Sequence, residues 1–252
     1  CNPSIGGPAK GQIVGEIDAL GGEMGRAADE TFIQMKILNR SRGPAVQCLR
    51  SQNDKFDYSD YMQNRILTDP NITFFEDMAT SLVLENEQVL GVGTESGQTF
   101  TSTSTVITTG TFLKAKMFTG LDATVGGRLD EKSCETLSDS LASRLKLGRL
   151  KTGTPPRLDK NSIDFDQLTL QPGDPEPLKF SFRTPDHTKH LNQMDCYLTH
   201  TNTKTHDIIL GGLDRSPLYT NVIQGTGPRY CPSIEDKVVR FKEKDKIGRA
   251  HV

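Results

Sequence analysis

The sequence lacks several features that define whole classes of protein. It contains no tryptophan and only 6% aromatic residues, and its mean hydropathy is −0.48. No apolar run approaches the roughly 18 residues that a membrane-spanning helix needs, so no membrane span is expected. The formal net charge of −2 excludes a strongly basic protein, and any contact with nucleic acid would depend on local patches.

Cysteine is also sparse and irregularly placed. The five cysteines are Cys1, Cys48, Cys134, Cys196 and Cys231. Such wide spacing is not typical of a disulfide framework or a metal site, and it favours reduced thiols in a cytoplasmic protein. No signal peptide is recognisable, but the chain begins without methionine, so a missing N-terminal segment could hold one.

One cysteine lies where a thiol is readily activated. Gly227–Pro228 breaks any preceding element, Pro232 suits a first helical position, and Glu235–Asp236 suits the first turn of a helix. Cys231 is therefore expected at or just before a helix N-terminus, two residues from Arg229. The positive end of the helix dipole and the cation of Arg229 both favour the thiolate form of Cys231. The alternative is a buried cysteine beside a helix cap.

What is present otherwise indicates a mixed α/β protein of one large domain or two small ones. A glycine-rich loop over 1–11 leads into a helical pattern over 9–28 that Gly21–Gly22 interrupts. A second helix is predicted over 56–67, and the spacing of Leu137, Leu141 and Leu145 predicts a third. Strands are predicted over 72–75, 81–85, 89–94, 99–102, 105–112, 180–182 and 196–200.

The order of the central strands is informative. A strand–turn–strand unit is followed by the apolar stretch 105–112, which carries Gly110 near its end. This layout is typical of flavoproteins that bind two dinucleotides, where a glycine lets the chain pass close to the ligand. Any buried strand that ends in glycine would give the same local pattern.

Charged and histidine residues leave several interpretations open. Arg40, Arg42 and Arg50 could contact a flavin pyrophosphate or an RNA backbone, or could form a solvated face. The basic segment 146–158 could face phosphates, or could be a surface strand balanced by the acids that follow it. The histidines at 200 and 206 lack partners at metal-ligand spacing, so hydrogen-bonding or core roles are expected.

Several motifs together resemble one family. The fifteen-residue stretch Gly227–Phe241 matches the G-P-R-Y-C-P-S-I-E-D-K-V-x-R-F signature of the GidA/MnmG family. The same resemblance is carried by C-N-P-x-I-G-G at the start of the chain, by I-L-N-x-S-x-G-P-A-V, by G-R-L-K-T-G-T-P-P-R and by C-Y-x-T-H-T-N-x-K-T-H-D. It covers almost the whole chain.

The resemblance implies a fold and a division of the chain. The expected fold class is α/β, with an incomplete FAD-binding domain of the glutathione-reductase-like, Rossmann type and a smaller β-rich inserted domain that resembles an NAD-binding domain. The implied bounds are 1–150 for the FAD-binding part and 151–245 for the insert. Residues 246–252 match nothing in the family and are expected to be a non-native tail. The family's G-x-G-x-x-G loop would precede Cys1. We therefore expect the chain to be an internal fragment that lacks both ends of the family's chains. We also expect this fragment to be inactive alone.

The resemblance also implies a function. Members modify C5 of the wobble uridine (U34) of tRNA with FAD, NADH and methylene-tetrahydrofolate, and form an aminomethyl or carboxymethylaminomethyl group. They act with a partner tRNA-modification GTPase of the MnmE type, as cytoplasmic homodimers. The tRNA must present its uridine unstacked, because the ring is otherwise inaccessible.

Site residues carry over position by position. The catalytic thiols fall on Cys1 and Cys231, and either could attack the base. FAD contacts fall on Ala79, Gly110 and Ser133, with Cys134 as the alternative to Ser133. NAD contacts fall on Gly227, Pro228, Arg229, Tyr230, Cys231, Pro232, Ser233, Ile234, Glu235, Asp236, Lys237, Val238, Val239, Arg240 and Phe241.

Two other functions stay open. A folate-dependent tRNA uracil-5-methyltransferase shares the flavin domain and two cysteines, although E-D-K-V-x-R-F favours GidA/MnmG. A non-catalytic tRNA-binding or assembly module would retain no flavin and would tolerate substitution of both cysteines. A disulfide reductase is not expected, because no closely spaced cysteine pair is present.

Overall fold

The structure is a computed structural model that describes residues 3–155, 157–186, 192–225, 227, 232–244, 246 and 249–251. The chain folds into two compact units. The first unit comprises Cys1–Phe74, Thr154–Asn202 and Lys244–Val252, and the second comprises Phe75–Gly153 and Thr203–Glu243. These units group residues by their proximity in space, whereas the domain bounds above rest on the resemblance and stay a prediction.

Helices and strands alternate irregularly along the chain, which confirms the mixed α/β composition. The helices are α1 (Lys10–Ala19), α2 (Met24–Thr31), α3 (Lys55–Leu67), α4 (Thr136–Ala142), α5 (Thr203–Leu210) and α6 (Ile234–Arg240). The strands are β1 (Ser4–Gly6), β2 (Phe32–Leu38), β3 (Cys48–Asn53), β4 (Ala79–Glu85), β5 (Gln88–Thr94), β6 (Thr99–Thr101), β7 (Lys116–Thr119), β8 (Asp122–Val125), β9 (Thr169–Gln171), β10 (Cys196–His200) and β11 (Arg249–His251).

The first unit contains two three-stranded antiparallel sheets, in the orders β1-β3-β2 and β11-β10-β9. Helices α1 and α2 pack together beside the first sheet. Its core consists of apolar residues from both helices, from β2 and from the later segment around 180: Val14, Ala28, Phe32, Met35 and Phe180. Segments far apart in sequence therefore share one core.

The predicted break between the first two helices is confirmed. Helix α1 ends at Ala19 and α2 begins at Met24, with Gly21–Gly22 between them. Gly21 has a φ of 89°, and a side chain at Gly22 would collide with Ile17. Glycine is therefore needed at this turn, because other residues disfavour positive φ.

The second unit contains a β4-β5-β6 meander and a β7-β8 hairpin, all antiparallel. Helix α4 packs on β4, and its buried Leu137 and Leu141 form a small core with Cys134. Asn86 and Glu87, both with positive φ, make the predicted turn between β4 and β5.

Three segments predicted as strands are not strands in the structure: 72–75, 105–112 and 180–182. The basic segment 146–158, interpreted above as a surface strand or a phosphate-facing stripe, is not a strand in its described residues either. Apolar or basic character alone does not make a strand, which also needs a neighbour, and none of the described residues forms a ladder with these segments. Val106 in the second of them is 84% exposed. In the segment 180–182, backbone N–H groups are bound by side-chain carboxylates instead.

Asp29, at the centre of α2, is one of those carboxylates and is fully buried. It accepts hydrogen bonds from Phe180 N at 2.7 Å, Ser181 N at 2.9 Å and Thr184 Oγ1 at 2.6 Å. Buried carboxylates are costly unless such donors surround them. Asp29 therefore fixes the segment 180–184 against α2.

Asp18, near the end of α1, binds the same segment from a second direction. It accepts hydrogen bonds from Ser181 Oγ at 2.5 Å, Phe182 N at 3.2 Å and Arg183 Nη2 at 3.1 Å. Burial raises the pKa of Asp18, but the hydrogen bonds from Ser181 and Arg183 outweigh burial and lower the pKa below its usual value. The charged form is therefore favoured in the folded chain.

We expect Asp29→Ala to lower the free energy of unfolding by about 3 kcal/mol, because each buried donor left without an acceptor costs about 1–3 kcal/mol. Urea denaturation followed by circular dichroism measures the change. Asp60→Ala on α3, where the aspartate is exposed, is the control and should change stability by about 0.5 kcal/mol or less. Equal effects of the two substitutions would contradict the anchoring role of Asp29.

Asp18 should make stability depend on acid pH. Its folded pKa lies below the unfolded value, so its contribution is present above the unfolded pKa of about 3.9 and is lost as pH falls through the folded pKa. Asp18→Asn should therefore destabilise the protein at neutral pH, by an amount that shrinks below about pH 4. Thermal unfolding of both proteins from neutral to acid pH tests this. A difference in stability between the two proteins that stays constant across this pH range would contradict the proposed role of Asp18.

Candidate cofactor-binding site

An open cleft of about 510 Å³ lies in the second unit, beside β4 and the start of α4. Its lining residues are mostly hydroxyl-bearing or acidic: Met78, Thr80, Ser81, Thr94, Glu95, Ser133, Glu135 and Thr136. Ser133 is one of the predicted FAD contacts, and Ala79 lies between two lining residues. The structure thus places one of the three predicted FAD positions, Ser133, in the lining of the cleft, while Ala79 adjoins the lining residues Met78 and Thr80 in the chain.

Backbone and side-chain bonds hold residues 133 and 134 in place. Cys134 N donates to Phe112 O at 2.8 Å, and Cys134 Sγ donates to Ala79 O at 3.0 Å. Ser133 Oγ accepts from Ala115 N at 2.7 Å and donates to Phe112 O at 3.1 Å. The proton of the Ser133 hydroxyl is therefore already engaged, and the hydroxyl can offer a ligand only its remaining lone pair.

The donor set of the cleft limits what it can bind. Glu95 and Glu135 supply carboxylates, and neither lysine, arginine nor histidine is found among the described lining residues. Carboxylate and hydroxyl oxygens accept hydrogen bonds from ribose hydroxyls or an exocyclic amine, but the two carboxylates repel a pyrophosphate. The chemistry fits the adenosine end of a dinucleotide.

Gly110, the third predicted FAD position, does not line this cleft. It occupies a left-handed turn with a φ of 56°, and a Cβ there would meet nothing within 4 Å. Phe112 N donates to Thr109 O across the same turn, at 3.0 Å. The open backbone face would allow a ligand to approach closely.

The glycine-rich loop belongs to the first unit. Gly7 has a φ of 88° and donates its N–H to Leu49 O at 2.8 Å, while its carbonyl accepts from Lys10 N and Gly11 N at the start of α1. The backbone of Gly7 is open on its Cβ side apart from Arg50. Cys1 lies outside the described residues.

The three arginines predicted as a basic cluster have different roles. Arg40 is occupied by Asp174 at 2.6 Å and Glu176 at 3.1 Å, and these bonds raise its pKa. Arg42 is exposed. Arg50 is half-buried, which lowers its pKa, and it donates to Ser4 Oγ at 3.1 Å. Arg50 is the member with donors left for an anionic ligand near the glycine loop.

The second half of the fifteen-residue motif begins a helix, as predicted. Ser233 is the N-cap of α6 and accepts from Asp236 N at 3.2 Å, while Glu235 and Asp236 occupy the first turn. Pro232 is not at the predicted first helical position but precedes the cap, because the Ser233 side chain provides the stronger capping group. Residues 228–231, and with them Cys231, lie outside the described residues.

Asp236 joins the motif to the rest of the second unit, a role that the sequence did not reveal. Its carboxylate lies 3.6 Å from Lys151 Nζ and accepts from Tyr219 OH at 3.4 Å. Burial and the charge of Asp236 raise the pKa of Tyr219. A Cβ at Gly227 would lie 3.2 Å from Lys151 Cε, so Lys151 lies close to the first residue of the motif as well as to Asp236.

The basic segment that contains Lys151 is thus not one continuous phosphate-facing stripe. The Lys151 side chain is 11% exposed and points to Asp236, and Arg149 Nη1 donates to Lys114 O at 2.7 Å. Lys146 is exposed. Only part of the segment can face an external anion.

The structure also bears on metals, histidines and membranes. In the part of the chain that the structure describes, no group of three or more His, Cys, Asp or Glu side chains could hold a metal ion. His206 is buried on α5 and has an interaction partner, as predicted for a core histidine. None of the helices within the described ranges has the length and apolar character needed to cross a membrane.

Comparison with known proteins identifies the family. The sequence model of the family described as "Glucose inhibited division protein A" (GIDA) matches residues 1–248. Curated proteins named "tRNA uridine 5-carboxymethylaminomethyl modification enzyme MnmG" are 48% identical over 247 residues in Lactobacillus gasseri and 49% identical over 248 residues in Bacillus thuringiensis. These alignments cover 98% of this chain but 39% of each relative.

Solved structures agree. The structure of Aquifex aeolicus GidA in its form I crystal is 46% identical with a TM-score of 0.88, and the form II crystal gives 44% and 0.86. They cover 98% of this chain and 42% and 40% of the solved chains, which confirms an incomplete domain of the predicted fold class. The chain therefore belongs to the GidA family.

Proposed function

We propose that the complete protein containing this chain modifies C5 of the wobble uridine in tRNA, forming an aminomethyl or carboxymethylaminomethyl group. The observation that carries the proposal is the 48–49% identity, over 98% of this chain, with curated enzymes named for that modification. Because the chain spans about two fifths of those relatives, its cofactors, partners and activity are all part of the proposal. The fifteen-residue motif, present almost unchanged, supports the same assignment.

FAD is the first proposed cofactor. The carboxylate- and hydroxyl-lined cleft beside Ala79 and Ser133 would hold its adenosine end, and the open turn at Gly110 allows a close backbone approach. When bound, FAD in its reduced form would carry the one-carbon unit from methylene-tetrahydrofolate toward the uridine.

NADH would renew that reducing power, and the stretch Gly227–Phe241 is its proposed site. Ser233 fixes the start of α6, and Asp236 ties the stretch to Lys151 and Tyr219. These contacts hold the start of α6 in one conformation before the nucleotide binds. Preorganisation of this kind lowers the entropic cost of binding.

The two motif cysteines, Cys1 and Cys231, are the proposed catalytic residues of the covalent step. One thiolate, from Cys1 or Cys231, adds to C6 of the uridine, forming an S–C6 bond and moving the electron pair to C5. C5 then attacks the methylene carbon of the iminium that the one-carbon unit forms with glycine or ammonia, and the C=N electron pair moves to the nitrogen. Loss of the C5 proton and cleavage of the S–C6 bond restore the ring and the thiolate.

The partners and setting follow the same proposal. tRNA is the substrate, a tRNA-modification GTPase of the MnmE type acts with the protein, and the complete chain forms a cytoplasmic homodimer. The uridine must leave its stack to reach the thiolate. Folate-dependent uracil methylation and simple tRNA binding are alternative outcomes of the experiments that follow.

Substitution of either motif cysteine should abolish modification and leave flavin bound. We expect Cys1→Ser and Cys231→Ser in the complete protein each to lower the rate at least about 1,000-fold, because we propose that one thiol attacks C6 and that the reaction also needs the other, and a hydroxyl is a far weaker nucleophile and a weaker acid than a thiol. Nucleoside mass spectrometry of the tRNA and the visible flavin spectrum measure the two properties. Cys48→Ser, at a buried thiol outside the motifs, is the control.

Three results would contradict the proposal in different ways. A product of 5-methyluridine would indicate the methyltransferase. A colourless protein that binds tRNA and is indifferent to both substitutions would indicate a binding module. Unchanged activity in Cys231→Ser would remove that thiol from the mechanism.

Lys151 should affect NADH rather than tRNA. Lys151→Met keeps the length of the side chain but removes the charge that faces Asp236. We expect KM for NADH to rise about tenfold, equivalent to about 1.4 kcal/mol, with little change in tRNA affinity. Lys146→Met, at an exposed lysine of the same segment, should leave KM unchanged. Equal KM values for both variants would contradict this role.

A further inference from the structure

Three arginine side chains of the first unit converge on one carboxylate. Arg26 Nη1, Arg65 Nη2 and Arg183 Nη1 lie 3.5, 3.5 and 3.4 Å from Glu23 Oε1. They come from α2, from α3 and from the segment that Asp18 and Asp29 anchor. The other oxygen of Glu23 accepts from Tyr61 OH at 3.2 Å.

These arginines are not neutralised by their partners. Arg183 is well bound, since it also donates to Asp18 at 3.1 Å and to Gly22 O. Within the described ranges, Arg26 and Arg65 have no carboxylate other than the shared oxygen of Glu23 at ion-pair distance. Three guanidinium groups thus face two carboxylates. Most N–H donors of Arg26 and Arg65 stay available, on side chains 34% and 47% exposed.

An exposed aromatic side chain belongs to the same anchored segment as Arg183. Phe182 is 91% exposed, although the backbone on both sides of it is fixed: Phe182 N donates to Asp18, and Ser181 is bound by both buried carboxylates. Arg183 follows it directly. The segment is thus held rigidly while it presents an apolar ring to solvent. Leu20, 90% exposed, follows Asp18 by two residues.

We propose that Phe182, Arg26, Arg65 and Arg183, here called the Phe182 patch, form a contact surface for unpaired RNA. The ring of Phe182 stacks on a base, and the free donors of Arg26 and Arg65 bind the flanking phosphates. An aromatic platform with adjacent guanidinium groups is the chemistry that recognises single-stranded nucleotides without reading their sequence. The inference rests on the proposed function for its partner, tRNA, but its residues are not those of the cofactor cleft.

The stacking interaction can be tested separately from the charge. The complete protein is titrated against a fluorescent anticodon stem-loop RNA and against a fully paired RNA duplex of equal length, and anisotropy is measured. Phe182→Leu stays apolar but loses the ring, and we expect it to bind the stem-loop about tenfold more weakly and the duplex as wild type does. Phe182→Trp keeps a ring and should bind both RNAs like wild type.

Phosphate binding by the arginines has its own signature. The binding constant K falls with salt concentration, and the magnitude of the slope of log K against log salt concentration decreases by about 0.7–0.9 for each phosphate contact that is lost. Arg65→Gln should reduce the slope by about that amount and weaken binding to both RNAs. Lys55→Gln, which removes one charge at the other end of the same helix, should leave the slope unchanged.

Failure of this inference differs from failure of the proposed function. If the wild-type protein binds neither RNA, the proposed function is wrong and the Phe182 patch loses its partner. If wild type binds the stem-loop but Phe182→Leu and Arg65→Gln bind equally well, the patch is wrong and the function stands. If Phe182→Leu instead dissociates a dimer, as measured by light scattering, the ring serves a protein interface and the RNA inference is overturned.

Discussion

The buried carboxylates Asp18 and Asp29 are the constraint on which the first unit depends. They collect backbone and side-chain donors from the segment 180–184, which follows them by more than 150 positions in sequence. Phe180, held this way, completes the core between α1, α2 and β2. The same bonds determine which residues face outward, because Phe182 and Arg183 follow directly. The hydrogen bonds of Asp18 and Asp29 therefore determine both the stability of this unit and which side chains of the segment 180–184 reach its surface.

In the second unit, the predicted cofactor positions lie on loops that hydrogen bonds hold in place. Ser133 and Cys134 are fixed by Phe112, Ala115 and Ala79, and the resulting cleft carries oxygen acceptors without cations among its described lining residues. Asp236 anchors the start of α6 through Lys151 and Tyr219. Both arrangements use local hydrogen bonds to preorganise segments that a dinucleotide could contact. Loops held by a rigid scaffold commonly carry binding residues.

Sequence reasoning predicted local features better than distant partners. The break at Gly21–Gly22, helix α3 and the β4-β5-β6 meander follow from periodicity and turn residues, and all are confirmed. The strand prediction for 105–112 is wrong because apolar character does not supply a neighbouring strand. Lys151 and Asp236 could not be paired from sequence, since 85 positions separate them. The site positions that the family resemblance implies stay a prediction, and the chemistry of the cleft became visible only when the structure placed Glu95 and Glu135 beside Ser133.

The central functional claim is that the cleft beside Ser133 receives the adenosine end of FAD. A crystal structure of the complete protein with FAD tests it most directly. The account predicts adenosine density in this cleft, with a ribose hydroxyl or the adenine amine within hydrogen-bond distance of the Glu95 or Glu135 carboxylate. FAD bound with its adenosine elsewhere, or with its pyrophosphate between those two carboxylates, would contradict the account.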